Sequence, residues 1–543
     1  MRSAHPSVPD DSPPLSAARA HAALGTVVLV SAAIAWPLTR YFFCQDDFSL
    51  ILRGAFDPIG SMARFFSIHP GMFRPLSKGA WFALMSHVLG LHATAWHVAS
   101  IALHAFNTVW TYRVLRALRT ARAPALVGAA FFALHGAHFH ALAWISCSQQ
   151  ILAVAFLLLG IERLLAATGW VAESVRSGGG FPGVRVTGPD AVMRGDTRQD
   201  LIVHAGRNHA LAFLAWVAAA SCAEQAGLIA AVFALWTLLT RGRRAVIPAL
   251  VYGAGMLAWL YIVLVLRSPP SVGPYAAHFG ANVWLNLWTY LGWSASFLVR
   301  LPDRITVGTW WIGPGHVLGA ALIGWNLLRR RGRAVALAAA YFVAAVAPLL
   351  PLVQHQLYYH TYVPMLPVAA LVALASTDVF GAARHRAESS ETAALVSILL
   401  VLSSVSFMGY RSNERARFRG QSEYARSFVL RRARIARNAW DGLRRMHPTR
   451  PTAAVPDTVS LYYGRTRDTS ATRWNYSNVI AALGGGDAVR LFFQRPDLVV
   501  GFAPVATRAS RASTAAHWQL VFDDLGHVRR RGAERIRRPS GAD

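Results

Sequence analysis

Ala23-Leu-Gly-Thr-Val-Val-Leu-Val-Ser-Ala-Ala-Ile-Ala-Trp-Pro37 continues through Tyr41-Phe-Phe43 into Cys44-Gln-Asp-Asp47. An apolar run that ends on two adjacent carboxylates reads as a membrane crossing with an acidic exit. A cleaved secretory signal would occupy the same place. No small-x-small cut site precedes a polar mature N-terminus, however, so the run reads as an uncleaved first span. Residues 1–22 ahead of it are polar and proline-bearing and read as a disordered cytoplasmic stretch.

Further along the chain, apolar runs long enough to cross a bilayer recur at 95–114, 124–142, 146–167, 208–223, 225–240, 245–266, 312–328, 334–353, 360–377 and 392–409. The bulk composition agrees. Of 543 residues, 54% are hydrophobic and only 15% charged, where a soluble protein carries about 25%. The same figures exclude a disordered chain. Lys and Arg total 54 against 26 Asp and Glu, a net charge of +28. That charge sits in short clusters between apolar runs and in the tail, which argues for a membrane protein and against a nucleic-acid partner. The three cysteines, Cys44, Cys147 and Cys222, lie in or beside apolar runs and suggest neither a disulfide framework nor a zinc site.

The arginine clusters at 113–122, 241–244, 329–333 and 384–386 belong on the cytoplasmic side. They share a side only if the apolar segments 74–91 and 283–300 do not cross, so both read as amphipathic helices on the outer face. The expectation is an all-α polytopic protein with about 11 transmembrane helices, its N-terminus inside and its C-terminus outside. Segment 168–207 reads as an irregular cytoplasmic insertion. Residues 410–543 read as a basic α/β domain, with an Arg-rich helix over 411–446 and strands at 459–463, 489–493, 498–500 and 518–522. No repeat of 20–50 residues is evident.

Four groups of residues invite chemistry. Asp46 and Asp47 are adjacent acids at a membrane exit, where mutual repulsion raises one pKa: they read as a general base or as a solvated interfacial pair that ends the helix. They are also a conceivable divalent-metal seat, although no cofactor is expected. His69-Pro-Gly-Met-Phe-Arg74-Pro-Leu-Ser-Lys78 holds the only lysine of the chain, with Arg74 one helical turn away on the same face. Two convergent cations suit a phosphate, or snorkel together at the interface. Histidines concentrate on outer-facing segments, and His135 and His138 stand three apart, at helical spacing. Hydrogen bonding or phosphate contact suits them better than a metal, since no acid or cysteine shares that turn. Glu224 and Gln149-Gln150 are polar residues within apolar surroundings, functional by default or helix–helix glue. His355-Gln-Leu-Tyr-Tyr-His360-Thr-Tyr362-Val-Pro364 adds aromatics suited to a sugar ring or to an interfacial belt.

The order of these features resembles the integral-membrane GT-C glycosyltransferases. The shared features are the acidic pair after the first span, the outer segment with Arg74-Pro-Leu, and Trp96-His-Val-Ala-Ser-Ile-Ala-Leu-His-Ala-Phe-Asn107. Phe132-Ala-Leu-His135 and Ala143-Trp-Ile-Ser146 follow. The branch most resembled holds the protein O-mannosyltransferases and the membrane halves of the TPR-bearing O-mannosyltransferases. The likeness is strongest over 35–165 and returns at Ala223-Glu224 and Tyr362-Val-Pro364. TPR repeats are absent, and Ala223 stands where relatives commonly carry Lys.

The resemblance implies a transmembrane domain over 23–409, including a first outer loop at 41–94. It implies a polyprenyl-phosphate-linked sugar donor, inversion at the anomeric carbon, and an active site on the extracytoplasmic face of the cell membrane. Asp47, favoured over Asp46 because it lies farther from the bilayer, would deprotonate an acceptor hydroxyl. Arg74, Lys78, His69, His135, His138, Glu224, His360 and Tyr362 would serve the donor phosphate or the substrates. The acceptor is a protein, glycan or lipid. The alternatives are a non-catalytic protein of the same shape and a lipid-linked substrate transporter or flippase, the latter expected to show paired broken helices.

Overall fold

The structure is a computed structural model that describes residues 15–66, 73–168, 198–266, 276–296, 312–352, 357–384, 388–418, 421–425, 427–447, 457–463, 479–504, 517–523 and 525–530. Helices dominate. In chain order they are α1 (Ala17–Ala35), α2 (Asp46–Phe56), α3 (Pro58–Phe66), α4 (Trp81–Leu89), α5 (Ala93–Ala117), α6 (Arg122–Leu134), α7 (His138–Ala143) and α8 (Ser148–Ala167). Then come α9 (Arg198–Ala220), α10 (Ile229–Arg241), α11 (Val246–Leu260), α12 (Ala281–Ala295), α13 (Pro314–Leu328), α14 (Gly332–Val346), α15 (Met365–Arg384) and α16 (Glu388–Arg415).

Each apolar run of the sequence carries a helix. Among the described residues, six stretches are long and apolar enough to cross a bilayer on their own: Ala17–Arg40, Ile145–Ala167, Glu224–Leu266, Gly332–Leu349, Met365–Ala383 and Ser390–Arg415. The chain is a multi-pass membrane protein. The bundle is organised around α6, of which every residue after Arg122 is buried. Such an all-round apolar helix belongs at the centre of a bundle. It packs against α1, α5, α15 and α16. Gly128 permits this closeness, since a Cβ there would lie 2.8 Å from the Ala369 carbonyl oxygen.

Two expectations change here. The run 124–142 is not one helix: α6 stops at Leu134, His135 is extended, and α7 begins at His138. The segment 74–91 begins with a π-helical turn over Pro75–Ala80 before α4, with Pro75 at its first position, where a missing N–H costs nothing. Of the expected insertion 168–207, residues 169–197 lie outside the described residues, and α9 is already formed at Arg198.

The C-terminal region is a small α/β domain, as read, but with different parts. The expected helix over 411–446 is interrupted. α16 runs to Arg415, a short antiparallel pair follows (β1, Arg417–Phe418; β2, Gln421–Ala425), and α17 (Phe428–Met446) begins afresh. A four-stranded sheet has the order β4 (Val499–Pro504), β3 (Thr458–Tyr463), β5 (His517–Phe522) and β6 (Val528–Arg530). β3 pairs in parallel with β4 and β5, and β6 closes the edge antiparallel to β5. Residues 489–493 are not a strand but lie in α18 (Asp487–Phe493), with Asp487 in its first turn, where a negative charge favours the helix start. A short apolar run is ambiguous between strand and helix until its flanks decide.

This domain is not a separate appendage. Phe43, Phe48, Ile51, Phe82 and Trp96 form one buried cluster with Ile435, Leu443, Leu461, Trp518 and Leu520. The acidic loop and the tail therefore stand on the same side of the bundle.

Candidate functional site

The acidic pair is shaped by the residue before it. Gln45 has φ 55° and ψ −125°, a conformation that non-glycine residues rarely adopt. Its N–H donates to the Ala482 carbonyl at 3.2 Å, and a Cβ on Gly484 would lie 2.7 Å from the Gln45 carbonyl oxygen. The C-terminal domain thus braces the turn that starts α2. The helix then rotates successive side chains by about 100°, so the two acids part company.

Asp47 faces inward. It is 1% exposed, its Oδ2 accepts from the Cys44 N–H at 3.0 Å, and its Oδ1 accepts from the Ser146 N–H at 2.7 Å. Burial pushes its pKa up to about 7, against the downward pull of those two N–H groups. Asp46 faces outward and lines a cavity of about 210 Å³ together with Ser49, Arg74, Lys78, Trp144, Ser146, Gln149 and Tyr359. This order is the reverse of the one expected from distance along the chain.

Lys78 and Arg74 reach the same cavity from the π-helical segment. The Lys78 Nζ donates to the Ser146 carbonyl at 3.1 Å, so one residue, Ser146, is held by Asp47 through its N–H and by Lys78 through its carbonyl oxygen. Burial lowers the Lys78 pKa, while the nearby charge of Asp46 holds it up. Arg74 donates through Nε to Glu224 Oε2 at 2.7 Å, with Nη2 also 2.7 Å from that oxygen, and through Nη1 to Gln149 Oε1 at 2.6 Å. The Ser77 hydroxyl donates to the Cys222 carbonyl at 2.7 Å, and the Leu76 N–H to the Ser221 carbonyl at 3.2 Å. The segment is strapped to the 221–224 turn. Glu224 stands behind the cavity rather than in it.

From the C-terminal domain, Phe428 sets its ring edge-on to Trp144 at 5.6 Å, and the Arg432 guanidinium lies 5.4 Å from the Phe428 ring centre. Burial lowers the Arg432 pKa, and the charge of Asp46 opposes that fall.

No family model matches the chain, and no curated protein matches it either. Among solved structures, it is similar to the crystal structure of ArnT from Cupriavidus metallidurans bound to undecaprenyl phosphate. That likeness stands at 12% identity over 93% of each chain, with a TM-score of 0.47. At that level the likeness carries no function across.

Of the candidates read from the sequence, the structure brings Asp46, Arg74 and Lys78 together, with Asp47 and Glu224 holding them. It does not bring His135, His138, His360 or Tyr362 to the cavity. The Tyr362 hydroxyl meets His104 Nδ1 at 2.6 Å and accepts from Asn107 Nδ2 at 3.2 Å. The His138 ring lies 4.4 Å from that of Tyr362 and 5.9 Å from that of His135. These side chains form a cluster inside the bundle. His360 is buried, and its carbonyl accepts from Gln225 Nε2 at 2.8 Å. His69 and His355 lie outside the described residues. Among the described residues, no three His, Cys, Asp or Glu are grouped as a metal site, and the Asp47 oxygens are both engaged by N–H groups. Sequence reasoning did not place Ser146 or Arg432 at the site, since nothing in their types marks them.

Proposed function

We propose that the protein is a GT-C-type glycosyltransferase that moves a sugar from a polyprenyl-phosphate donor to an acceptor hydroxyl on the extracytoplasmic face of the membrane. The observation that carries this reading is one solvent-facing carboxylate, Asp46, sharing a small cavity with two largely buried cations, Lys78 and Arg74. A general base and a cradle for a departing phosphate are the two parts such a transfer needs.

Asp46 takes the proton of the acceptor hydroxyl as its oxygen attacks the anomeric carbon. The bond from that carbon to the phosphate oxygen breaks on the opposite side, which inverts the configuration. The electron pair leaves with the polyprenyl phosphate, whose growing charge Lys78 offsets. Arg74, already bound to Glu224 and Gln149, orients the segment that presents Lys78. Asp47 is a positioning residue: it holds the N–H of Ser146, the residue on whose carbonyl Lys78 rests. No step calls for a cofactor.

The test is transfer from radiolabelled polyprenyl-phosphate sugars by purified protein, with the label then followed into its acceptor. Asp46→Asn retains size and fold but cannot take a proton, and activity falls by about 10²–10⁴-fold. Full activity in a monodisperse Asp46→Asn protein overturns the assignment.

A further inference from the structure

A second cleft, of about 700 Å³, opens between α17 and the start of α5, and it shares no lining residue with the Asp46 cavity. Its size falls within the range of small-molecule sites, about 300–1,000 Å³. Its floor is aromatic. The rings of Phe42 and Trp440 stand 5.5 Å apart, and those of Trp440 and Phe492 stand 5.2 Å apart.

Its rim is basic. Arg437 and Arg444 lie seven residues apart on α17 and flank Trp440 on one side of the helix. Both are exposed. The Arg437 guanidinium also lies 5.9 Å from the Phe42 ring centre. The single acid of the cleft, Asp441, lies 3.4 Å from Arg437 Nε, and Arg444 has no ion-pair partner among the described residues. Residues His92 to Thr94 close the other wall and contribute the positive end of a 25-residue helix.

We propose that this cleft binds an anionic saccharide. Flat apolar rings match the C–H face of a sugar, and a guanidinium pair matches its carboxylate or phosphate. A neutral sugar leaves the rim unused, and an acyl chain finds no use for arginines. The inference stands on the cleft itself and holds whether or not Asp46 is a general base.

The experiment is calorimetric titration of the full-length protein in detergent at low salt, with trigalacturonate and with its methyl ester as probes. The acid binds, the ester binds about tenfold more weakly, and added salt weakens the acid alone. R437Q/R444Q lowers acid affinity by about tenfold, and W440A weakens both probes, with each thermal transition checked. Equal affinity for acid and ester, no heat from either, or wild-type affinity in folded R437Q/R444Q overturns the proposal. The probe comparison on unaltered protein decides the matter even if the variants fail to fold. Tighter binding of AMP than of trigalacturonate assigns the cleft to a nucleotide. Binding of phosphatidylglycerol micelles without trigalacturonate assigns it to a lipid headgroup. Either result also overturns the proposal.

Discussion

Two polar clusters are built into this bundle, and they are handled in opposite ways. Around Asp46 the charges are strapped by short bonds to neighbouring turns, yet one carboxylate and two cations still border a cavity. Around Tyr362 the polar groups are fully enclosed: the hydroxyl is bonded to His104 and Asn107, while the His138 ring meets its neighbours through ring contacts. Burying a polar group without a partner costs about 1–3 kcal/mol, and the bonds at the Tyr362 hydroxyl offset part of the cost of enclosing this cluster. The first keeps charge where a reacting molecule can meet it. Both look alike in sequence, as His, Tyr, Arg or Asp inside apolar runs.

The largest test of this contrast is Glu224→Ala. It leaves Arg74 buried with Gln149 as its remaining named partner, and losing one member of a buried ion pair costs about 3–5 kcal/mol. The thermal midpoint in detergent should drop sharply, while Glu224→Gln recovers part of the loss. A midpoint unchanged in Glu224→Ala would mean that the strap does not hold the segment.

The next test concerns Asp47 and pH. Its folded pKa of about 7 stands above the ordinary 3.8, so between those values the folded protein binds more protons than the unfolded chain. Stability from this group is therefore greatest at low pH, falls as pH rises through the window, and levels off above about 7. A rise of that size corresponds to up to about 4 kcal/mol. Thermal midpoints measured from pH 4 to pH 8 should fall less steeply in Asp47→Asn than in the unaltered protein. Parallel curves would place the carboxylate in water.

The smallest effect is expected in the enclosed cluster. Tyr362→Phe removes the hydroxyl shared by His104 and Asn107, at a cost of about 1–3 kcal/mol. Glycosyl transfer per folded molecule should be unchanged. A large drop in transfer with an unaltered midpoint would bring this cluster into the reaction and erase the contrast.

The membrane class and the side chains near the acidic exit were legible because residue type alone carries them. Twenty apolar residues cost too much to expose, and a lone lysine in an arginine-rich chain marks a place. The histidines misled for a definite reason. Spacing at i, i+3 presumes one continuous helix, and the chain turns at His135-Gly136-Ala137 instead. Val489–Phe493 misled because a five-residue apolar run fits either a strand or a helix, and the choice fell to the glycine turn and Asp487 before it.

By itself, the sequence determined that this chain crosses a membrane several times, that an acidic pair follows the first crossing, and that Arg74 and Lys78 stand near it. These follow from solvation, which acts on each residue type wherever it lies in the fold. Only the tertiary structure decided that Asp46 faces the cavity and Asp47 the interior, because that choice depends on where α2 starts. The start of α2 is set by Gln45, which is braced from a turn more than four hundred residues away. The approach of Arg432 and the cleft beneath α17 have the same origin: contacts between distant segments exist only once the chain has folded.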